Sequence, residues 1–92
     1  MLDPTGGLTM LGMNHWELDP LLKELATLNL QGKAEPHHTG QGKRVLVSSG
    51  GRTFSIALGL DGNYIALESA TMLRIRDASP QGLAQGLKQE LA

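Results

Sequence analysis

The chain has 92 residues, a formal net charge of −1 and no cysteine, and 40% of its residues are hydrophobic. This length predicts one domain with one core. The absence of cysteine excludes disulfides, thiolate metal sites and cysteine catalysis, and the near-neutral charge excludes nucleic-acid binding through net positive charge alone. No apolar run is long enough for a transmembrane helix, and residues 1–13 lack the basic and apolar segments of a signal peptide. We therefore expect a cytoplasmic protein without a membrane partner.

The first half of the chain predicts an arm, a helix and a loop. Residues 1–14 contain scattered glycines and no hydrophobic period, which predicts a flexible N-terminal arm before a single domain at 15–92. A helix is predicted at about residues 19–30, with Asp19 as its N-cap, Pro20 in its first turn and Asn29 as a stop signal. Residues 31–43 are polar and rich in glycine, which predicts a long loop.

An antiparallel meander follows, with strands predicted at about residues 44–49, 52–60 and 63–68. Gly50-Gly51 and Asp61-Gly62 have the composition of two-residue hairpin turns, and such turns fix which residues pair. The predicted pairs are Val47–Phe54, Val45–Ile56, Leu58–Ile65 and Ile56–Leu67. All of these apolar side chains would then share one inner face of the sheet, which helices can cover.

A fourth strand is predicted at about 72–76, and a last helix at about 79–91. A three-residue loop, 69–71, or a bulge would bring Leu73 and Ile75 to the inner face. Ser79 can cap the helix and Pro80 suits its first turn. The fold class is thus α+β: an N-terminal helix, a three- or four-stranded antiparallel meander and a C-terminal helix. Glycines inside the last helix permit the close approach of another backbone, or indicate a frayed terminus.

The opposite, outer face of the predicted sheet is small and only mildly polar. Its predicted interaction surface comprises Leu46, Ser55, Ala57, Tyr64 and Ala66. A solvated sheet face normally carries more charge, and neither predicted sheet edge contains proline or a row of lysines. Two interpretations of this face stay open: a plain solvated face with small residues, or a packing surface for another copy or a protein partner. The unprotected edges add to the second interpretation, a homo-oligomer that assembles through a sheet face or edge.

The sequence indicates no catalytic site and no cofactor. Its serines lack a nucleophile motif, its carboxylates are explained by turns and caps, and its glycines match no phosphate-binding loop. His37 and His38 are adjacent, and neighbouring side chains in an extended loop point apart. A metal site would need a third ligand, such as Glu35 or His15, from another flexible segment. We therefore expect no enzyme activity and no metal, and a solvated loop at the histidines.

A modest basic patch is the basis of an alternative function. The possible nucleic-acid contacts are Lys43, Arg44, Arg52, Arg74 and Arg76. Clustered cations can follow a phosphate backbone. Tyr64 is the only aromatic residue predicted on the outer face, however, and single-strand binders usually offer several aromatic rings for stacking.

Part of the chain resembles two families that bind nucleic acids. Gly51-Arg52-Thr53-Phe54, followed by Gly59-Leu60-Asp61 and residues 63–70, resembles the first motif of Sm-like RNA-binding proteins. In that family a helix precedes a bent strand, and an Asp and an Asn shape an RNA-binding loop. Asp61 and Asn63 are closer together than in that family, and residues 74–77 lack the glycine of its second motif. The series of strands before a helix that begins with proline also resembles single-strand-binding coactivator domains, whose basic and aromatic residues are missing here.

The sequence thus favours a small non-enzymatic module that self-associates. The alternative is a nucleic-acid-binding protein with an Sm-like or similar small β fold.

Overall fold

The computed structural model describes residues 10–92, so most of the predicted arm lies outside the described residues. The strands are β1 (Met10–Leu11), β2 (Gly32–Pro36), β3 (Lys43–Ser49), β4 (Arg52–Gly59), β5 (Tyr64–Glu68) and β6 (Leu73–Asp77), and the helices are α1 (His15–Thr27) and α2 (Pro80–Leu91). The strands form one antiparallel sheet in the order β2-β3-β4-β5-β6, and β1 pairs with the end of β4. The predicted α+β class is confirmed, with six strands among residues 10–92 where three or four were predicted.

Helix α1 begins before the predicted cap Asp19. Its N-cap is Asn14, whose backbone N–H donates to the Glu17 side chain at 2.8 Å. This hydrogen bond satisfies the Asn14 N–H, and the early start of the helix places Pro20 inside it. The helix ends at Thr27, before the predicted bound of about residue 30. The predicted stop signal Asn29 does adopt a left-handed conformation, with φ 61°, and the Leu30 N–H returns to the Leu25 carbonyl at 2.8 Å.

Strand β2 replaces part of the loop predicted at 31–43. It pairs along its whole length with β3, from Gly32 opposite Val47 to Pro36 opposite Lys43. Only the residues between His37 and Gly42 form the connection, which is closed by a hydrogen bond from the His37 N–H to the Gly42 carbonyl, 3.1 Å long. Pairing with β3 gives these residues main-chain hydrogen bonds that a polar loop would make with water instead. The composition of the segment alone does not predict these hydrogen bonds, because they depend on the partner strand.

The β3–β4 register is the predicted one, but the β4–β5 register is shifted by one residue. Val45 lies opposite Ile56 and Val47 opposite Phe54, as predicted. In the next hairpin, however, Tyr64 lies opposite Leu58 and Ala66 opposite Ile56. The turn comprises residues 60–62 and is one residue longer than predicted, because the Gly59 N–H donates to the Asn63 carbonyl at 2.8 Å and closes the loop there. Gly62, with φ 85°, supplies the left-handed residue that this three-residue loop needs.

This shift exchanges the two faces of β5. Since side chains alternate along a strand, Tyr64, Ala66 and Glu68 point to the inner face, and Ile65 and Leu67 point to the outer face. The predicted inner-face positions of Ile65 and Leu67 are therefore wrong. Leu73 and Ile75 nevertheless reach the core side as predicted. The loop before β6 is also one residue longer than predicted, with Glu68 opposite Leu73, so the two shifts cancel.

Both helices cover the inner face. The core comprises Met13, Leu18, Leu21, Leu25, Leu30, Val45, Val47, Phe54, Ile56, Leu58, Tyr64, Ala66, Leu83, Ala84 and Leu87. Helix α2 begins as predicted: Ser79 accepts the Gly82 N–H at 3.0 Å and Pro80 is the first helical residue. A side chain added at Gly82 or Gly86 would meet the side chain of Asp77 or Ile75, so these glycines allow α2 to approach β6. Neither α1 nor α2 combines the length and the apolar character of a membrane-crossing helix.

Candidate interaction surface

The predicted interaction surface is divided between the two faces of the sheet. Leu46, Ser55 and Ala57 lie on the outer face, as expected from their register. Tyr64 and Ala66 are buried in the core instead, and their predicted place on the outer face is wrong. The Tyr64 hydroxyl donates to the Glu17 carbonyl at 3.0 Å, which links β5 to the first turn of α1. Burial, followed by the nearby Glu17 carboxylate, raises the pKa of Tyr64.

The centre of the outer face is apolar and already covered. Ala57 and Ile65 are each 1% exposed and form a small buried cluster with Met10. Leu67 is buried as well. The centre of this face therefore offers no free apolar surface, and the accessible part lies towards β3, where Leu46 is half-buried.

Strand β2 forms one edge of the sheet, and its outer side pairs with no strand among residues 10–92. Lys43 exchanges two hydrogen bonds with Met13, at 2.7 and 2.9 Å, and so directs its main-chain groups away from β2. Because hydrogen-bonded and non-hydrogen-bonded pairs alternate along an antiparallel ladder, Gly32, Ala34 and Pro36 direct their main-chain groups to the free edge. The N–H that proline lacks would face the free edge at Pro36, so its absence costs no hydrogen bond to β3. Edge strands tolerate proline at such outward-facing positions.

Alternating charges accompany this free edge. Lys33 and Glu35 lie on the outer-face side of β2, with Lys33 Nζ 3.8 Å from Glu35 Oε2. Arg44, on the neighbouring strand, lies 3.5 Å from the other oxygen of Glu35. Ala34 stands between the two charges and is exposed. The edge thus carries a cation, a small residue and an anion in succession.

An open groove of about 930 Å³ runs beside the beginning of β2. Its lining comprises Leu22, Ala26, Asn29, Leu30, Gln31, Gly32, Lys33, Glu35, Leu46 and Ser48. The end of α1 supplies apolar side chains to one wall, and Leu46 supplies another from the outer face. A side chain at Gly32 would lie 2.9 Å from Leu25 Cδ1, so this glycine lets α1 sit close to the edge strand.

The five predicted nucleic-acid contacts do not form one surface. Alternation places Lys43 and Arg52 on the inner-face side of the sheet, and Arg44, Arg74 and Arg76 on the outer-face side.

Three of these five cations form ion pairs. Arg44 pairs with Glu35, Arg52 pairs with Glu68 and Glu90, and Arg76 lies 3.0 Å from Asp61. Lys43 and Arg74 form no ion pair with another residue of 10–92. Nucleic-acid binding stays a prediction.

The two adjacent histidines lie in the β2–β3 turn, where their ring centroids are 4.2 Å apart. The expectation that their side chains point apart is therefore wrong. The expected exposure to solvent holds for His38 but not for His37. His37 is buried and its Nδ1 lies 2.9 Å from Thr39 Oγ1. Burial, followed by the neighbouring charges of His38 and Arg44, lowers the pKa of His37. Over the described range, 10–92, no three His, Asp or Glu side chains come together in a way that could hold a metal ion.

Sequence reasoning overlooked the exposed apolar residues at the other end of α1. Trp16 is 62% exposed in the first turn of the helix, and Leu60 is 74% exposed in the β4–β5 loop. Leu11, also exposed, lies opposite Leu58. The available signal was that Trp16 lies outside the leucine stripe when the helical period is extended back towards Asn14.

Comparisons of this chain with protein-family models, with curated proteins and with solved structures gave no match.

Proposed function

We propose that this protein is a non-enzymatic interaction module that self-associates through the free edge of β2 and the groove beside it. The observation that carries the proposal is the outward direction of the main-chain groups of Gly32, Ala34 and Pro36 at an edge that no described strand covers. Unpaired edge groups are a template for pairing with another chain. A second copy that adds its own β2 strand would satisfy them.

The groove supports the same arrangement. If β2 of a second copy pairs with β2 of the first, the α1 helices of both copies lie on the same side of the joined sheet. The half-buried Leu22 and the exposed Ala26 near the end of α1 would then face the equivalent residues of that copy. Apolar burial of this kind adds to the main-chain hydrogen bonds, which alone contribute modestly in water.

The non-enzymatic part of the proposal follows from how the acidic groups are used. Glu68 binds Arg52, Asp77 accepts from the Ser79 N–H and hydroxyl, and Asp61 accepts from the Asn63 N–H. Each of these carboxylates therefore has a structural partner at a strand end, a helix cap or a turn. General acid–base catalysis needs such a group aimed at a substrate instead.

Light scattering coupled to size exclusion tests the proposal over a range of protein concentrations. We expect a dimer that dissociates on dilution. Ala34→Pro removes the central outward N–H and should yield a monomer, whereas Ala34→Ser keeps that N–H and should still dimerise. Trp16→Ser is the matched control at the other end of α1 and should leave the dimer unchanged. A wild-type monomer at all concentrations, or a dimer abolished only by Trp16→Ser, would contradict the proposal.

A further inference from the structure

We propose that two copies pair their β2 strands antiparallel about a two-fold axis at Ala34, so that Lys33 of each copy lies opposite Glu35 of the other. This inference rests on the proposed self-association and specifies its register. Strand β2 reads Gly32-Lys33-Ala34-Glu35-Pro36, and reversing it about its centre exchanges the lysine with the glutamate. A two-fold interface requires a surface that complements itself in this way.

The main-chain groups fit this register. The N–H of each Ala34 would donate to the carbonyl of the other Ala34, because both groups face the free edge. Each Gly32 N–H would reach the Pro36 carbonyl of the other copy. Pro36 has no N–H to offer in return, so the ladder ends there and its length is limited to the five residues of β2.

The charges fit it as well. Residues beside a hydrogen-bonded pair form a non-hydrogen-bonded pair, in which side chains lie closer together. Lys33 and Glu35 would occupy those positions and would make two equivalent cross-strand ion pairs. Within one copy, Lys33 is already only 3.8 Å from Glu35, so the same charges would join a four-membered network across the axis. Opposite charges at such positions stabilise a strand pair, and like charges destabilise it.

The second sheet edge lacks this self-complementarity. Strand β6 is the other edge, and the same alternation directs the main-chain groups of Arg74 and Arg76 outwards. Antiparallel pairing of two β6 strands about Ile75 would place Arg74 opposite Arg76 of the other copy. Like charges directly opposite each other destabilise a strand pair. The contrast between the two edges favours β2 as the contact.

Charge reversal followed by mixing tests the register. Lys33→Glu places two acidic residues on β2, and Glu35→Lys places two basic residues there. Each variant alone should dimerise at least about tenfold more weakly than the wild type, because both cross-strand pairs become repulsive. An equimolar mixture should recover nearly the wild-type affinity, since every pair is then attractive. A loss of folding would not be repaired by mixing, and circular dichroism checks each variant alone.

Amide hydrogen exchange on the wild type gives a second readout that needs no variant. The Ala34 N–H should exchange slowly in the dimer and fast after dilution, whereas the Lys33 and Glu35 amides, which face β3, should be protected in both states. A wild-type dimer with a protected Ala34 amide but with both charge variants unaffected would overturn the register and leave the proposed self-association through β2 standing. A wild-type dimer with an unprotected Ala34 amide would overturn both proposals. Open-ended assemblies that grow with concentration would overturn the two-fold arrangement, and a wild-type monomer would overturn both proposals.

Discussion

Arg52 binds the carboxylate of Glu68 through two parallel hydrogen bonds, from Nε to Oε2 and from Nη2 to Oε1, each 2.8 Å long. The third nitrogen of Arg52 donates to the side chain and to the main-chain carbonyl of Glu90, both at 3.1 Å. Thr71 donates to Glu68 Oε1 at 2.7 Å. One guanidinium therefore joins the start of β4, the end of β5 and the last turn of α2, and this fork geometry is specific to arginine.

Substitution of Glu68 should change how stability depends on pH. The hydrogen bonds from Arg52, followed by that from Thr71, lower the pKa of Glu68 to about 2. A carboxyl whose pKa is lower in the folded state stabilises the fold above its ordinary pKa, and this contribution is lost as the pH falls towards the lowered value. Urea unfolding should therefore show a clear deficit for Glu68→Gln at neutral pH that narrows between about pH 4.5 and about pH 2.

The matched control for that experiment is Glu24→Gln, on a half-buried position of α1 whose carboxylate forms no ion pair with another residue of 10–92. Its free energy of unfolding should follow that of the wild type across the same pH range. A constant difference between Glu68→Gln and the wild type at every pH would show that the ion pair does not supply the stability.

Tyr64→Phe should weaken the fold without altering the sheet. The substitution removes only the hydroxyl that donates to the Glu17 carbonyl at 3.0 Å. A typical intramolecular hydrogen bond contributes about 1 kcal/mol, so the free energy of unfolding should fall by about that amount. Chemical denaturation measures it. An unchanged stability, with an outward-facing ring seen by amide and aromatic NMR contacts, would contradict the observed β4–β5 register.

The sequence predicted the part of the sheet where composition and turn length agree. Gly50 and Gly51 both adopt left-handed conformations, with φ 59° and 80°, and a two-residue turn follows directly from that pair. Asp61-Gly62 carries an equally strong local signal, yet Leu60 joins the turn and Gly62 alone takes the left-handed position. Two- and three-residue turns share this composition, so tertiary packing decides between them.

The alternation of apolar residues could not resolve that choice. Both Ile65 and Ala66 are buried, on opposite faces of β5, and every residue of this strand is buried. A strand covered on both sides has no period of two, so either register satisfied the pattern. The free edge of β2 was missed for a different reason. Its polar residues resemble a loop, and only the partner strand β3 makes them a strand.

Gly12→Ala should destabilise the protein by about 2 kcal/mol, because the site has no room for a side chain. An added Cβ would collide with the Gln41 carbonyl oxygen and would lie 2.9 Å from Gly42 Cα. These contacts hold residues 10–13 between the start of β3 and the end of β4. Gly40→Ala is the comparison: its Cβ would meet nothing within 4 Å, and only its φ of 81° opposes the change. The midpoint temperature of thermal unfolding should be lower for Gly12→Ala than for Gly40→Ala. The reverse order would contradict the tight packing of residues 10–13.

His37 should make the fold less stable as the pH falls through the range in which histidine titrates. Burial and the neighbouring charges of His38 and Arg44 lower the pKa of His37 from its ordinary 6.5. The unfolded chain therefore binds a proton at a higher pH than the folded chain, so stability decreases as the pH drops below about 6.5. Urea unfolding should give a smaller free energy at about pH 5.5 than at about pH 7.5. His37→Asn cannot titrate at this position, so its stability should depend less on pH than that of the wild type.

His38→Asn removes a neighbouring positive charge, so the His37 ring titration seen by NMR should shift upwards. A His37 titration midpoint at or above 6.5 in the wild type would contradict the buried, neutral state of this ring.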